Sequence, residues 1–329
     1  MKKEFKLTLV ALALTALCGC SFESDVNTPD LPQGEAISFG NVSTRAGLSD
    51  LQRDSFGVWA FINNATVTNY TLMNNQYVEY KGGEWGYSPL QYWLDNTEFS
   101  FIAVYPLGSY SYNEENKAIE LSVSNTPSET DYLMATNTTD TSDANYSRTV
   151  DLQFKHMLTS VGLNIWRDQA KHTNDQMRVT KVMLSNISKG GKYSTAENSW
   201  TYNNEKLSME YENKNLSDND NIGAATMENG SLTTGGIAAS PFGQMMLLPQ
   251  TIEPNSVALK IVYELKRQNA ADWEEAELET VLPSMTWNAG QRYTYNVVLS
   301  SVTDITVYYI QTKVDPWGTP QVGGTVIIK

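Results

Sequence analysis

The residue types that usually carry catalysis or bind metals are scarce in this sequence. The chain has two histidines, and it contains no His-Glu-x-x-His zinc motif, Gly-x-Ser-x-Gly nucleophile motif, phosphate loop or dinucleotide-binding motif. His156 lies in an apolar, strand-like stretch and is predicted to be a core residue, whereas His172 lies in a polar loop with no partner recognisable in the sequence. We therefore expect no enzymatic activity, no catalytic residue and no cofactor.

The best candidate for a metal site is the acidic stretch DNDNIG at residues 218–223. Asp218 and Asp220 have the spacing with which a calcium-binding loop begins. The fifth position of such a loop is Ile222 here and the twelfth is Asn229, where a calcium loop has an oxygen ligand and a glutamate. The sequence therefore predicts an ordinary solvated loop and no bound metal.

Aromatic residues offer another kind of chemistry, because exposed rings can stack on sugars. Most tryptophans of the chain lie in alternating strands or at strand ends, where packing in a core is the commoner use. A surface glycan-binding β-sandwich lipoprotein is therefore one hypothesis for the function, although not the leading one. The eight tryptophans are Trp59, Trp85, Trp93, Trp166, Trp200, Trp273, Trp287 and Trp317.

The chain opens with features typical of an exported, lipid-bearing protein. Three lysines precede an apolar run at residues 7–17, which is shorter than the roughly 20 residues that a membrane-spanning helix needs. The run ends in Leu-Cys-Gly-Cys, which resembles the bacterial lipobox, so residues 1–19 are predicted to be a signal peptide and Cys20 the lipidated residue. Because Cys18 would leave with the signal peptide, no cysteine pair would remain for a disulfide.

Composition limits the partners of the exported chain. The full chain carries 23 basic and 37 acidic residues, a formal net charge of −14, which argues against nucleic acid and anionic membranes. Residues 21–36 contain acids and prolines but no basic residue, as is typical of a disordered tether.

Short strands are the elements that must position all of these residues. Apolar and polar residues alternate in short runs separated by Gly, Pro, Asn and Asp, and long helical patterns are missing. This pattern indicates an all-β protein built from sandwiches. A polar loop near residues 136–147 is the expected junction, which gives an N-terminal β-sandwich at 46–147 and a C-terminal one at 148–329.

Both ends of the predicted domains carry unusual strands. Near the N-terminus, Ile37 and Phe39 alternate with small or polar residues and are followed closely by Arg45 in a segment that a protease could cut. At the C-terminus, a strand at 305–314 and a second apolar strand, TVIIK at 325–329, are separated by a diglycine. An apolar terminal strand left unpaired would promote aggregation, so it is expected to find a partner.

A series of motifs runs through the chain in order: the lipobox at Cys20, ISFGNVSTRAG, FGVWAFI, YSPLQYWLDNTEFSFIAVYP, DYLMA, LQFKHMLTSVGLNIW and WNAGQRYTYNVVL. The series resembles the fimbrillin family, which comprises the type V pilins and fimbrillin-like lipoproteins of Bacteroidetes. The resemblance implies two transthyretin-like β-sandwich domains in tandem, outer-membrane lipidation, proteolytic removal of an N-terminal segment after an arginine, and polymerisation by strand exchange.

Carried onto this sequence, the resemblance gives each terminal segment a role. Residues 20–45 would be a lipidated tether and a removable plug strand containing Ile37 and Phe39, and processing would cut between Arg45 and Ala46. Each plug side chain would contribute roughly 1.5–3 kcal/mol by burial. The donor strand would contain Val326, Ile327 and Ile328, with the strand at 305–314 as the other candidate.

The resulting prediction is a fimbrial subunit that serves adhesion on the outer surface of the outer membrane, and within a fimbrium after processing. Its expected partners are other pilus subunits, the outer membrane through its lipid, and a ligand on a host or bacterial surface, but not nucleic acid. The sequence leaves open whether the subunit belongs to the shaft, the anchor or the tip.

Overall fold

The computed structural model describes residues 34–44, 55–124, 130–214, 216–217, 220–228, 231–241, 243–300, 305–312 and 326–327. The prediction of an all-β protein is confirmed. Across the described ranges there is no helix with the length and apolarity needed to cross a membrane. Cys20, Arg45, Ala46 and Ile328 lie outside the described residues.

The strands of the first part of the chain are β1 (Ser38–Thr44), β2 (Ser55–Asn63), β3 (Tyr70–Lys81), β4 (Glu84–Gly86), β5 (Glu98–Tyr105), β6 (Tyr110–Asn113), β7 (Ala118–Ser124), β8 (Leu133–Asp140) and β9 (Thr149–His156). The remaining strands are β10 (Thr159–Asp168), β11 (Gln176–Ser188), β12 (Gly190–Ser194), β13 (Ser199–Tyr202), β14 (Lys206–Glu212), β15 (Ala224–Glu228), β16 (Ser231–Gly235), β17 (Gln244–Leu247), β18 (Gln250–Ile252), β19 (Ala258–Lys266), β20 (Glu274–Val281), β21 (Met285–Trp287), β22 (Arg292–Leu299), β23 (Ile305–Thr312) and β24 (Val326–Ile327).

Seven strands of the N-terminal half close into a barrel in the order β1-β4-β3-β2-β5-β8-β9. Successive side chains of a strand point to opposite faces, so every second side chain can enter the barrel core, as Phe99 and Phe101 do from β5. β2 is buried on both faces, because its other side chains, such as Trp59 and Phe61, belong to a second apolar cluster. β1 pairs with β4 in the antiparallel sense and with β9 in the parallel sense, and these two pairings close the ring. The first strand of the barrel therefore depends on a strand that lies more than a hundred residues further along the chain.

β9 lies in the N-terminal barrel, whereas the domain boundary expected from the sequence, at residue 148, places it in the C-terminal half. Its backbone pairs with β8 and β1 inside the N-terminal barrel. Val150, Leu152 and Phe154 enter the first core, and Phe154 lies with its ring centroid 5.5 Å from that of Phe56. The polar loop before β9 connects two strands of the same barrel. A polar loop shows that a segment is exposed to solvent, but it does not show that a new domain begins there.

The core of the C-terminal half lies between two sheets that pack face to face. One has the order β14-β11-β19-β20, and the other has the order β16-β15-β10-β22-β23-β24, with β17 also pairing with β10. Their inner faces share one apolar cluster, which includes Val161, Leu184, Ile261 and Tyr295. This arrangement is a β-sandwich. The transthyretin-like character of the two halves stays a prediction.

A four-stranded sheet joins the two halves. Its order is β13-β12-β7-β6, so two strands come from each half of the chain, and we call it the shared sheet. One face of the shared sheet packs on the outside of the barrel through an apolar cluster that includes Trp59, Phe61, Leu121 and Leu248. The halves are therefore connected by a continuous sheet and an apolar contact, in addition to the chain itself.

Most tryptophans pack in cores, as their positions in the sequence indicate. The buried ones are Trp59, Trp85, Trp93, Trp166 and Trp287. Trp200 and Trp273 are half-buried. Trp317 lies outside the described residues.

Candidate functional site

The strand β1 and the groove that holds it form the candidate functional site. Phe39 lies opposite Trp85 of β4 and opposite Val150 of β9. The segment just before β1 is also paired, because the Ile37 amide donates to the Gln91 carbonyl oxygen at 2.9 Å. β1 therefore satisfies backbone groups on both sides of the groove, which would otherwise be open sheet edges.

Three apolar side chains fill the groove. In the folded chain, Ile37, Phe39 and Val42 are only 1%, 5% and 3% exposed to solvent. The ring centroid of Phe39 lies 6.0 Å from that of Phe56 and 6.3 Å from that of Phe101, both in edge-to-face geometry. Removal of β1 would therefore leave a hole in the barrel core as well as two unpaired edges.

A break in the β1–β9 register is compensated by polar contacts. The register shifts between Phe39 and Val42, and the Asn41 amide inside this irregularity donates to Oδ1 of Asp151 at 2.8 Å. The neighbouring Gly40 lies so close to β9 that a Cβ on it would be 2.3 Å from Cγ2 of Thr149. The two strands thus approach closely where the regular ladder is interrupted.

Tyr87 binds the start of this segment and was not identified from the sequence. Its hydroxyl donates to the Ile37 carbonyl oxygen at 2.9 Å, and its ring lies 5.6 Å from that of Phe39. Burial is the main reason why the pKa of Tyr87 is raised, although a hydrogen bond with Gln91 acts in the opposite direction. No sequence pattern marks this tyrosine among the 18 of the chain, because its role depends on a contact 50 residues away.

The other residues predicted to matter lie at the two ends. β1 ends at Thr44, so Arg45 is the next residue along the chain. β24 pairs with β23 in the antiparallel sense, with Ile327 opposite Tyr308 and Val326 opposite Tyr309. The two candidate donor strands are therefore neighbours at one end of a C-terminal sheet.

The two histidines are buried, and each lies within hydrogen-bond distance of an aspartate. His156, at the end of β9, has Nδ1 2.6 Å from Oδ2 of Asp131, and His172 has Nδ1 2.9 Å from Oδ2 of Asp175. For the pKa of Asp175, burial acts upward, but hydrogen bonds from His172 and the Gln268 amide outweigh it, so the net shift is downward. The prediction that His156 is a core residue is confirmed by its burial.

The acidic stretch at 218–223 is described only from Asp220 onward. Oδ2 of Asp220 accepts hydrogen bonds from the amide and hydroxyl of Ser217, and Ile222 is buried in the C-terminal core. Ile222, at the fifth position of the loop pattern, therefore points into the core and offers no ligand to a calcium ion. Among the described residues, no group of three His, Cys, Asp or Glu side chains is placed to hold a metal ion.

Comparison with known proteins gives a consistent picture. A family model described as fimbrillin-like matches residues 44–317. The crystal structure of a fimbrial protein from Bacteroides vulgatus has a TM-score of 0.61 and 17% sequence identity, covering 85% of this chain and 99% of that chain. A candidate cell adhesion protein from Bacteroides uniformis has a TM-score of 0.50 and 15% identity, covering 85% of this chain and 98% of that chain. No curated protein sequence matches the chain. The structural likenesses show a shared fold.

Replacement of Tyr87 by phenylalanine tests how the groove holds β1. Tyr87→Phe keeps the ring against Phe39 but removes the hydrogen bond to Ile37, which is expected to weaken β1 by about 1 kcal/mol. Amide hydrogen exchange of β1 should accelerate by a factor of about five, since 1.4 kcal/mol corresponds to a factor of about ten. Tyr146→Phe is the matched control, because this half-buried tyrosine packs on Trp93 within the same core. Equal exchange rates in both variants would contradict the assignment.

Proposed function

Because the fimbrillin-like model covers residues 44–317, the chain belongs to the fimbrillin-like family, and we propose that it is a fimbrial subunit assembled by protease-triggered strand exchange. Family membership supports a fimbrial, adhesive role at the cell surface. The observation that carries the finer proposal is β1, an N-terminal strand that completes the barrel core and ends one residue before Arg45.

The position of β1 in the chain makes it removable by one cut. β1 is the first described strand, so cleavage between Arg45 and Ala46 would separate it from β2 and all later strands without interrupting the rest of the barrel. After the cut, β1 would be held by non-covalent contacts alone, chiefly those of Ile37, Phe39 and Val42. A strand held in this way can dissociate and be replaced.

The groove left behind would accept an apolar strand from another subunit. Its two walls, β4 and β9, would present unpaired backbone groups, and its floor would present the pockets vacated by Ile37 and Phe39. Addition of an extended strand to such edges is a common recognition mode, in which backbone bonds give affinity and alternate side chains give specificity. The proposed donor is the C-terminal strand with Val326, Ile327 and Ile328, and β23 is the second candidate.

The same cut would release the subunit from the membrane. We place the lipid on Cys20 after removal of residues 1–19, with residues 21–36 as the tether to β1. Because Cys20 lies on the N-terminal side of Arg45, cleavage would remove the anchor together with the plug. Membrane release and exposure of the groove would thus be one event, which would direct assembly to processed subunits at the outer surface of the outer membrane. The remaining partners would be other pilus subunits and a surface ligand.

Replacement of Arg45 tests the trigger. The test is made in an Arg53→Ala parent, because Arg53 is a second tryptic site between β1 and β2. In this background Arg45→Ala should leave β1 covalently attached after trypsin treatment, and the protein should stay monomeric in size-exclusion chromatography while the parent forms larger species. Lys171→Ala is the control, since Lys171 is an exposed basic residue in the loop between β10 and β11 of the C-terminal half. If Arg45→Ala assembled as readily as the parent, cleavage-gated exchange would be wrong.

Charged substitutions in the terminal strand test the donor. Val326 and Ile328 fall on one face of an extended strand and Ile327 on the other. Replacing both Val326 and Ile328 with aspartate should reduce assembly after trypsin treatment more than Ile327→Asp does, because a charge cannot be buried in an apolar groove without a large loss of free energy. Normal assembly of all these variants, with trypsin cleavage intact, would exclude the terminal strand and favour β23.

Replacement of Cys20 tests the anchor. Cys20→Ala should abolish incorporation of a fatty-acid analogue and release the protein from the membrane fraction, because the acyl chains are the proposed attachment. Cys18→Ala should leave labelling unchanged, since that residue is removed with the signal peptide. Labelling of the Cys20→Ala protein at the level of the parent would refute lipidation at this position.

A further inference from the structure

Two clefts flank one exposed tyrosine at the shared sheet, where the halves of the molecule meet. The outer cleft has a volume of about 660 Å³ and is lined by residues that include Glu120, Ser122, Lys192, Thr201 and Tyr202. The inner cleft has a volume of about 580 Å³ and is lined by residues that include Trp200, Tyr202, Asn203, Thr251 and Thr286. Both volumes lie in the range of small-molecule sites, roughly 300–1,000 Å³.

Tyr202 is an exposed but fixed aromatic ring between the two clefts. It is 39% exposed, and its hydroxyl donates a hydrogen bond to the Pro249 carbonyl oxygen. Trp200 lies two residues earlier in β13 and packs against Tyr193, with ring centroids 5.8 Å apart. Because the ring of Tyr202 is held in place, a ligand that stacks on it would lose little side-chain entropy from the protein.

The outer cleft combines a charged acceptor with a charged donor. Oε1 of Glu120 lies 3.2 Å from Nζ of Lys192 and accepts a hydrogen bond from Asn113 at 3.0 Å. The hydrogen bond from Asn113 is the largest reason why the pKa of Glu120 is lowered; burial acts upward, and Lys192 lowers it further. The Lys192 side chain is 49% exposed, and the exposed hydroxyls of Ser122 and Thr201 lie on the same cleft. Adjacent hydroxyl groups of a ligand can donate to the carboxylate and accept from the ammonium group at the same time.

The inner cleft adds neutral polar groups. Oγ1 atoms of Thr251 and Thr286 lie 3.3 Å apart on neighbouring strands, and both residues are exposed. Asn203 and Asn204 follow Tyr202 directly and line the same cleft, so their amides offer both donors and acceptors beside the ring. A ligand that crosses the Tyr202 ring would find hydrogen-bonding groups on either side of it.

From these contacts we propose that the two clefts form a binding groove for a neutral saccharide, centred on Tyr202. The apolar face of one sugar ring would stack on Tyr202, with its hydroxyls directed to Glu120 and Lys192 in the outer cleft. Further units of a longer saccharide would contact Thr251 and Thr286 in the inner cleft. Glu120 offsets the charge of Lys192, and the chain has a net charge of −14, so an anionic saccharide would be disfavoured. The groove does not include β1 or the terminal strand, so the proposal does not depend on assembly by strand exchange.

Titration of the uncut full chain with sugars tests the groove. The neutral probes are methyl β-galactoside, methyl α-mannoside and N-acetylglucosamine, and the acidic probe is glucuronic acid. At least one neutral probe should bind with a Kd of roughly 1 mM or tighter by calorimetry, and glucuronic acid should bind more weakly. Absence of binding to every neutral probe, or a preference for glucuronic acid, would overturn the proposal.

Variants locate the binding on the protein. Tyr202→Ala and Glu120→Gln should each raise the Kd at least tenfold, whereas Tyr202→Phe, which keeps the ring, should raise it less than Tyr202→Ala. The matched control is Glu277→Gln, because Glu277 pairs with Lys260 at 2.8 Å on a different sheet. Melting temperatures show whether each variant is folded. If either Tyr202→Ala or Glu120→Gln does not fold, the sugar affinity of the other variant decides whether the groove is the binding site.

Two further outcomes would refute the proposal. Unchanged sugar affinity in both Tyr202→Ala and Glu120→Gln would place the binding elsewhere. Binding of a synthetic TVIIK peptide to the groove in place of the sugars, with loss in Tyr202→Ala, would make it a strand-binding edge. Because these measurements use uncut monomer, their failure is distinct from failure of the Arg45 and terminal-strand experiments.

Discussion

Closure of the N-terminal barrel by β1 is the constraint on which the rest of the structure depends. A barrel has no free edges only when every strand has two neighbours, and here the last place is occupied by β1, the first strand of the described residues. β4 and β9 do not pair with each other, so the backbone of β1 bridges them while Ile37, Phe39 and Val42 complete the core. The integrity of the barrel is therefore concentrated in a segment of a few residues.

Such a strand can be stable before cleavage and replaceable after it. While the chain is intact, β1 is tethered to β2 by a short segment, so its effective concentration at the groove is high. The proposed cleavage would leave the contacts of Phe39 and Ile37 unchanged but would remove the tether, which would turn an intramolecular association into an intermolecular one. A competing strand would then need only comparable contacts to replace β1.

The shared sheet gives the molecule a second organising feature. β6 and β7 come from the N-terminal half, β12 and β13 come from the C-terminal half, and Leu121 and Trp200 contribute to the same apolar cluster. The same arrangement leaves β13 at the margin of its sheet, and Tyr202 at the end of β13 becomes exposed between two clefts.

The sequence alone indicated a chain of short strands and, in many of them, which side chains face inward. In β9 and β19 every second residue is buried, and this period of two can be recognised without coordinates. The motif series also indicated the family, and the buried environment of His156 followed from its apolar neighbours. The expectations for Cys20 and Arg45 still rest on the sequence and the family resemblance.

Only the tertiary structure decided which strands are partners. Backbone hydrogen bonds are nearly independent of side-chain identity, so alternation cannot show that β1 pairs with β9 or that β7 pairs with β12. The same limit explains why the sequence did not reveal the pairing of β9 with β1 and β8, and why Tyr87 and Tyr202 were not identified. Their roles arise from atoms brought together across long stretches of chain, and a local pattern carries no information about such contacts.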